Sequence, residues 1–136
     1  MLCSKLERMN TTFPVKNLHL EYRLWIIELN FDIELLRIFE QHLEHIVSKI
    51  AGKDCLAKIE HLQNQFICQC EVIDELKHDL NISEKQLAAF ASQRRTVGFE
   101  NERLDNHAGL RDRFLTVRKI FDELKAEFRL FESQCN

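Results

Sequence analysis

Glycine and proline are nearly missing from this chain: three Gly and one Pro in 136 residues. Sheet-rich and loop-rich proteins draw on both residues for their turns, so this scarcity excludes those classes and favours helices. No apolar run approaches the roughly 18 residues needed to cross a bilayer. Residues 1–16 lack the apolar segment of a secretory signal. A basic excess is absent too. The net charge is −3 with both signs interspersed, and Arg94-Arg95 is a short pair rather than a binding stripe. Neither nucleic acid nor an anionic membrane surface is therefore an expected partner. The three separated Gly leave no phosphate-cradling loop, and no Ser, His and Asp arrangement stands out. Five Cys, an odd number at irregular spacing, make no disulfide framework. Cys68 and Cys70 lack the usual zinc or redox spacing and diverge by about 200° on a helix. Reduced thiols and a cytoplasmic location are the expectation.

What is present is helix-forming and core-forming material. Ten Phe supply bulk, and Leu, Glu, Lys, Arg, Gln and Ala dominate the remainder. A chain of this length buries a continuous core without disulfides or a structural metal.

The apolar pattern has a helical period. Leu18, Tyr22, Trp25, Leu29, Asp32, Leu36, Phe39, Leu43, Ile46 and Ile50 step by four and three, so they share one helix face. Leu20, Leu24, Ile27, Phe31, Leu35 and Ile38 form a second stripe beside the first. A face that wide demands at least two partners. Gly52 suits a helix end and Asp54 the next N-cap. A second ladder runs through Cys55, Ile59, Leu62, Phe66, Gln69, Ile73, Leu76 and Leu80. Ser83 with Gln86 reads as a capping box that opens a short third helix over about Glu84 to Thr96, carrying Leu87, Phe90 and Ala91. The polar stretch from Thr96 to Asn106 reads as an irregular crossover. Leu110, Phe114, Val117, Phe121, Leu124, Phe128 and Phe131 then make a last ladder, with His107 in the preceding position.

The expected fold is all-α: an antiparallel up-down-up-down four-helix bundle with a short third helix. Residues 1–16 form a flexible N-terminal arm, and residues 17–136 a single helical-bundle domain. The competing arrangement fuses the third and fourth helices into one rod of about 50 residues, about 75 Å long, which Gly98 and Gly109 weaken.

The segments Leu18-His-Leu-Glu-Tyr-Arg-Leu-Trp and His61-Leu-Gln-Asn-Gln-Phe-Ile resemble stretches of small, uncharacterised bacterial helical proteins. The resemblance covers the first two helices. It implies no activity, ligand or functional residue.

Three groups of residues stand out as candidate sites. In the four-helix arrangement His42, His45, His61 and His107 converge on one end of the bundle, the way bundles assemble transition-metal sites. Di-metal carboxylate bundles need two Glu-x-x-His motifs, and only Glu75-Leu-Lys-His78 matches, at the opposite end. Asp32 is the second group, because a carboxylate in an apolar ladder needs a partner. Arg94, Gln69 and Glu28 are placed to form a buried polar layer with it. The third is an apolar patch at Phe39, Leu43 and Ile46, which the short third helix leaves open as an interface. These features point to a non-enzymatic protein–protein interaction or scaffold module that self-associates, with a homodimer the simplest form. No cofactor is expected under that reading. The alternative is a bundle binding iron, manganese or zinc through the His cluster.

Overall fold

The computed structural model describes residues 15–49, 55–93 and 97–135, and the side chains of residues 17–49, 55–89 and 106–135. Three long helices account for them: α1 (Val15–Lys49), α2 (Leu56–Gln93) and α3 (Val97–Cys135). No strand occurs among the described residues. The described residues are all-helical, as the composition favours, but they form a three-helix bundle and not the expected four-helix one.

The correction lies at Ser83. The capping-box pattern there does not open a helix, because α2 runs unbroken through it. Ser83 is buried, and its Oγ accepts a hydrogen bond from Asn106 Nδ2 of α3 at 3.3 Å. The physical reason is register. Leu76, Leu80, Ser83 and Leu87 keep the four-three step, so Ser83 occupies a core position of one continuous ladder. Burial of Leu80 and Leu87 on either side outweighs a local capping preference of about 1 kcal/mol. The expected crossover before Asn106 is likewise helical from Val97 onward. It contains no Pro, and Glu, Arg, Leu and Asp fill it. The rod arrangement fails too, because the segments it would fuse belong to two helices, Leu56–Gln93 and Val97–Cys135, that pack against each other.

Helix directions follow from which residues meet. Lys58 and His61 of α2 reach Glu127, Gln69 reaches Val117, and Asp79 reaches Arg113 of α3. Ascending positions on α2 pair with descending ones on α3, so these helices are antiparallel. Tyr22, Asp32 and His42 of α1 meet His107, Arg118 and Glu132 in ascending order, so α1 and α3 are parallel. α1 packs most closely on α2 and least on α3.

The inner ladders fill the core, in which Leu29, Leu36, Leu62, Phe66, Ile73, Leu80 and Phe121 are fully buried. Aromatic rings mark its two ends. Trp25 stacks on Phe114 at 5.0 Å between centroids, one end of the bundle, while Phe39 lies 4.8 Å from Phe128 towards the other. No described helix is long and apolar enough to cross a membrane. α1 begins at Val15, two residues inside the expected arm. Residues 1–14, with the rest of that arm, lie outside the described residues, as do Gly52, Asp54 and Arg94.

Candidate functional site

The four candidate metal histidines are not brought together. His107 stands beside Glu21, Tyr22 and Trp25, at the N-terminal end of α1. That level lies about 30 Å below His42, at 1.5 Å per residue. The reason is helix count. With three helices instead of four, the helix that carries His107 runs parallel to α1, so its first turns meet the start of α1 and not its end. The other three share one end of the bundle but face different grooves. His61 Nε2 lies 3.0 Å from Glu127 on the α2 side of α3. His42 Nε2 lies 3.6 Å from Glu132 on its α1 side, too far for a hydrogen bond, and His45 is exposed. Among the described residues no cluster of three or more His, Cys, Asp or Glu side chains is arranged to hold a metal ion.

The geometry around His107 does resemble acid–base machinery. Its Nε2 is 3.1 Å from Glu21 Oε2, and its Nδ1 is 3.2 Å from the Tyr22 hydroxyl. However, Tyr22 is only 2 % exposed, and Trp25 stacks on the imidazole with centroids 5.5 Å apart. A substrate cannot reach a hydroxyl so enclosed. The group instead ties the start of α3 to α1 by satisfying polar atoms at the edge of the core.

Asp32 is buried as its place in the ladder requires, and its carboxylate pairs with the Arg118 guanidinium of α3. Arg118 also lies over the Phe114 and Phe121 rings, at 5.7 and 5.5 Å from their centroids. The expected polar layer thus exists with a different membership. Gln69 is buried and donates to the Val117 carbonyl at 3.4 Å, one residue before Arg118. Glu28 is exposed and takes no part in the layer, and Arg94 is outside the described residues. Arg118 follows Val117 on the last ladder, and only the parallel course of α1 and α3 brings it level with Asp32. The four-helix arrangement makes α1 and the last helix antiparallel, and that course hides Arg118 as the partner.

The expected open patch at Phe39, Leu43 and Ile46 is also corrected. Leu43 and Ile46 are core residues, and Phe39 is half-buried between Phe66 and Phe128. They point inward because α2, a helix as long as α1, covers that level where a short third helix would not. The exposed apolar surface of α1 lies elsewhere, on its second stripe. Leu20, Leu24, Ile27, Phe31 and Ile38 are each between 53 and 61 % exposed, and only Leu35 turns partly towards the core. At 100° per residue the stripe sits about 130° around the helix from the inner ladder, on the side of α3. That is the side on which α1 is least covered.

The grooves between helices offer little else for chemistry. The α2–α3 groove is lined by Val72, Leu76, Val117 and Ile120, and its charged pair, Asp79 and Arg113, is closed on itself at 2.7 Å. Glu127 is held below the usual carboxylate range, first by its hydrogen bond from Lys58 and then by the charges of Lys58 and His61, against the opposing effect of burial. No family model, no curated protein and no solved structure matches the chain, in keeping with a resemblance that carries no named family.

Proposed function

We propose that the chain is a non-enzymatic helical interaction module that pairs with a second copy of itself through the outer stripe of α1. The observation that carries this reading is the exposure of Leu20, Leu24, Ile27, Phe31 and Ile38 along one line of a rigid helix. Their four-three spacing is that of a coiled-coil seam, which another helix of the same period covers by inserting side chains between them. Scattered exposed apolar residues need no explanation, but Leu20, Leu24, Ile27 and Phe31 in line, with Ile38 two turns on, do.

Area and symmetry favour a second copy. Side chains of about 200 Å² at such exposure offer about 500 Å² per chain, so two stripes face to face bury about 1,000 Å², the lower bound for a specific interface. The stripe is also nearly self-complementary when reversed. About a two-fold axis at Leu29, Leu20 meets Ile38 of the other copy and Ile27 meets Phe31, which is the isologous pairing that a symmetric dimer needs. Leu24 falls opposite Glu34, whose charge is already paired with Arg37 one turn along its own helix.

Sedimentation equilibrium on the full chain over a wide range of micromolar concentrations tests this. The expected mass is twice the 16.2 kDa of one chain. The double substitution Ile27→Glu with Phe31→Glu is expected to yield a monomer with unchanged helical circular dichroism. A wild-type chain that stays monomeric throughout overturns self-pairing, and a double variant that still dimerises moves the interface off the stripe.

A further inference from the structure

Two thiols that the sequence keeps far apart meet at one end of the bundle. Cys55 immediately precedes α2 and Cys135 is the last residue of α3, 80 positions later, yet their sulfurs are 3.7 Å apart. Both are free and half-buried at the edge of the core. The antiparallel course of α2 and α3 creates this meeting, and it lies at helix termini. There the chain closes the remaining distance to a sulfur–sulfur bond of about 2.05 Å without deforming a helix interior.

We propose that Cys55 and Cys135 are a redox modification site, a dithiol that a peroxide converts reversibly to an intrachain disulfide. In the first step the Cys55 sulfur attacks one peroxide oxygen. The oxygen–oxygen bond breaks, water leaves, and Cys55 becomes a sulfenic acid. In the second, the Cys135 sulfur attacks that sulfur, the sulfur–oxygen bond breaks, and a second water leaves as the disulfide forms. Two thiols have given two electrons and two protons to one peroxide. A thiol reductant reverses the change by exchange.

Burial and the hydrogen bond with Cys55 push the Cys135 thiol up, and the 3.7 Å approach of the two sulfurs lets one resolve the other. Cys70 faces no second sulfur among the described residues, and its thiol is also pushed up, by burial and then by Glu40 and Asp74. Cys68 is exposed on α2 without a sulfur within bonding reach among the described residues. Location therefore selects the pair. In a reducing compartment such a bond is a transient response to oxidant and not a permanent staple.

The bond would close the C-terminal end of α3 onto the start of α2 and constrain a loop of 80 positions in the unfolded chain. A rise in Tm of about 10 °C is expected on oxidation. The experiment treats the full chain with hydrogen peroxide, blocks remaining thiols by alkylation, and maps peptides by mass spectrometry without reductant. The expected result is loss of two hydrogen atoms, a Cys55–Cys135 linked peptide, the higher Tm, and reversal of all three by dithiothreitol. A variant with Cys3→Ser, Cys68→Ser and Cys70→Ser keeps the response. Cys135→Ser leaves a dimedone-reactive sulfenic acid on Cys55, and Cys55→Ser abolishes the link. Alkylation of both Cys55 and Cys135 after peroxide has oxidised Cys68 or Cys70, or covalent dimers linked through Cys68, would overturn the proposal.

Discussion

The two apolar stripes of α1 are close in composition and spacing, and the bundle treats them oppositely. The inner one, from Leu18 to Ile46, is sealed against α2 and α3, whereas the outer one, from Leu20 to Ile38, faces solvent. Periodicity thus defines which residues share a face of a helix, but coverage is a property of the neighbours. A three-helix bundle gives each helix two partners. α1 has enough apolar surface for a third, and the outer stripe is what remains.

The largest expected effect tests the inner face where it is polar. Arg118→Met removes the charge paired with buried Asp32, and we expect a loss of about 3–5 kcal/mol in urea denaturation. Asp32→Leu fills an apolar ladder position and leaves Arg118, whose side chain is 27 % exposed and reaches water, so stability should stay near wild type or rise. A large loss for Asp32→Leu would mean that the ion pair contributes net stability and does more than select which helix packs where. A plain contrast of the stripes comes next. Leu36→Ala on the inner ladder should cost about 2–5 kcal/mol, while Ile27→Ala on the outer one should change the stability of the monomer by about 0.5 kcal/mol or less. Similar costs at the two positions, measured where the chain is monomeric, would erase the distinction between the faces.

Two smaller effects sharpen it. Gly109 lies in α3 with open space where a Cβ would stand. Gly109→Ala should therefore raise stability by about 0.5–1 kcal/mol, seen as a higher urea midpoint with unchanged slope. Glu127 gives the smallest effect. Its carboxyl titrates below its unfolded value of 4.5, so its contribution is present above that pH and is lost as pH falls through the lower folded value. Glu127→Gln should flatten the acid limb of the stability curve by less than about 1 kcal/mol, because the group is partly exposed. An unchanged acid limb would mean that the pair with Lys58 and His61 contributes nothing in solution.

Much of this molecule can be read along single helices. Helical class, the inner ladders and the burial of Asp32 and Gln69 all follow from four-three spacing, and the structure keeps them. The boundaries were harder. Ser83 and Gln86 carry a genuine capping pattern, yet the signal that overrides it is also in the sequence, since Leu80 and Leu87 stand one heptad apart across Ser83. Reading that phase would have joined the two segments. From that one boundary the remaining differences follow. An added helix reverses the direction of the last one, which carries His107 to the wrong end and hides Arg118 as the partner of Asp32.

The sequence by itself determined how each helix is divided into faces, because side-chain direction repeats every 3.6 residues whatever lies nearby. Only the tertiary structure decided what stands opposite each face. The meetings of Asp32 with Arg118, His107 with Tyr22, and Cys55 with Cys135 depend on the number and direction of helices. Those are fixed by where the chain turns, and each turn is a contest between weak local preferences and the burial of a whole ladder.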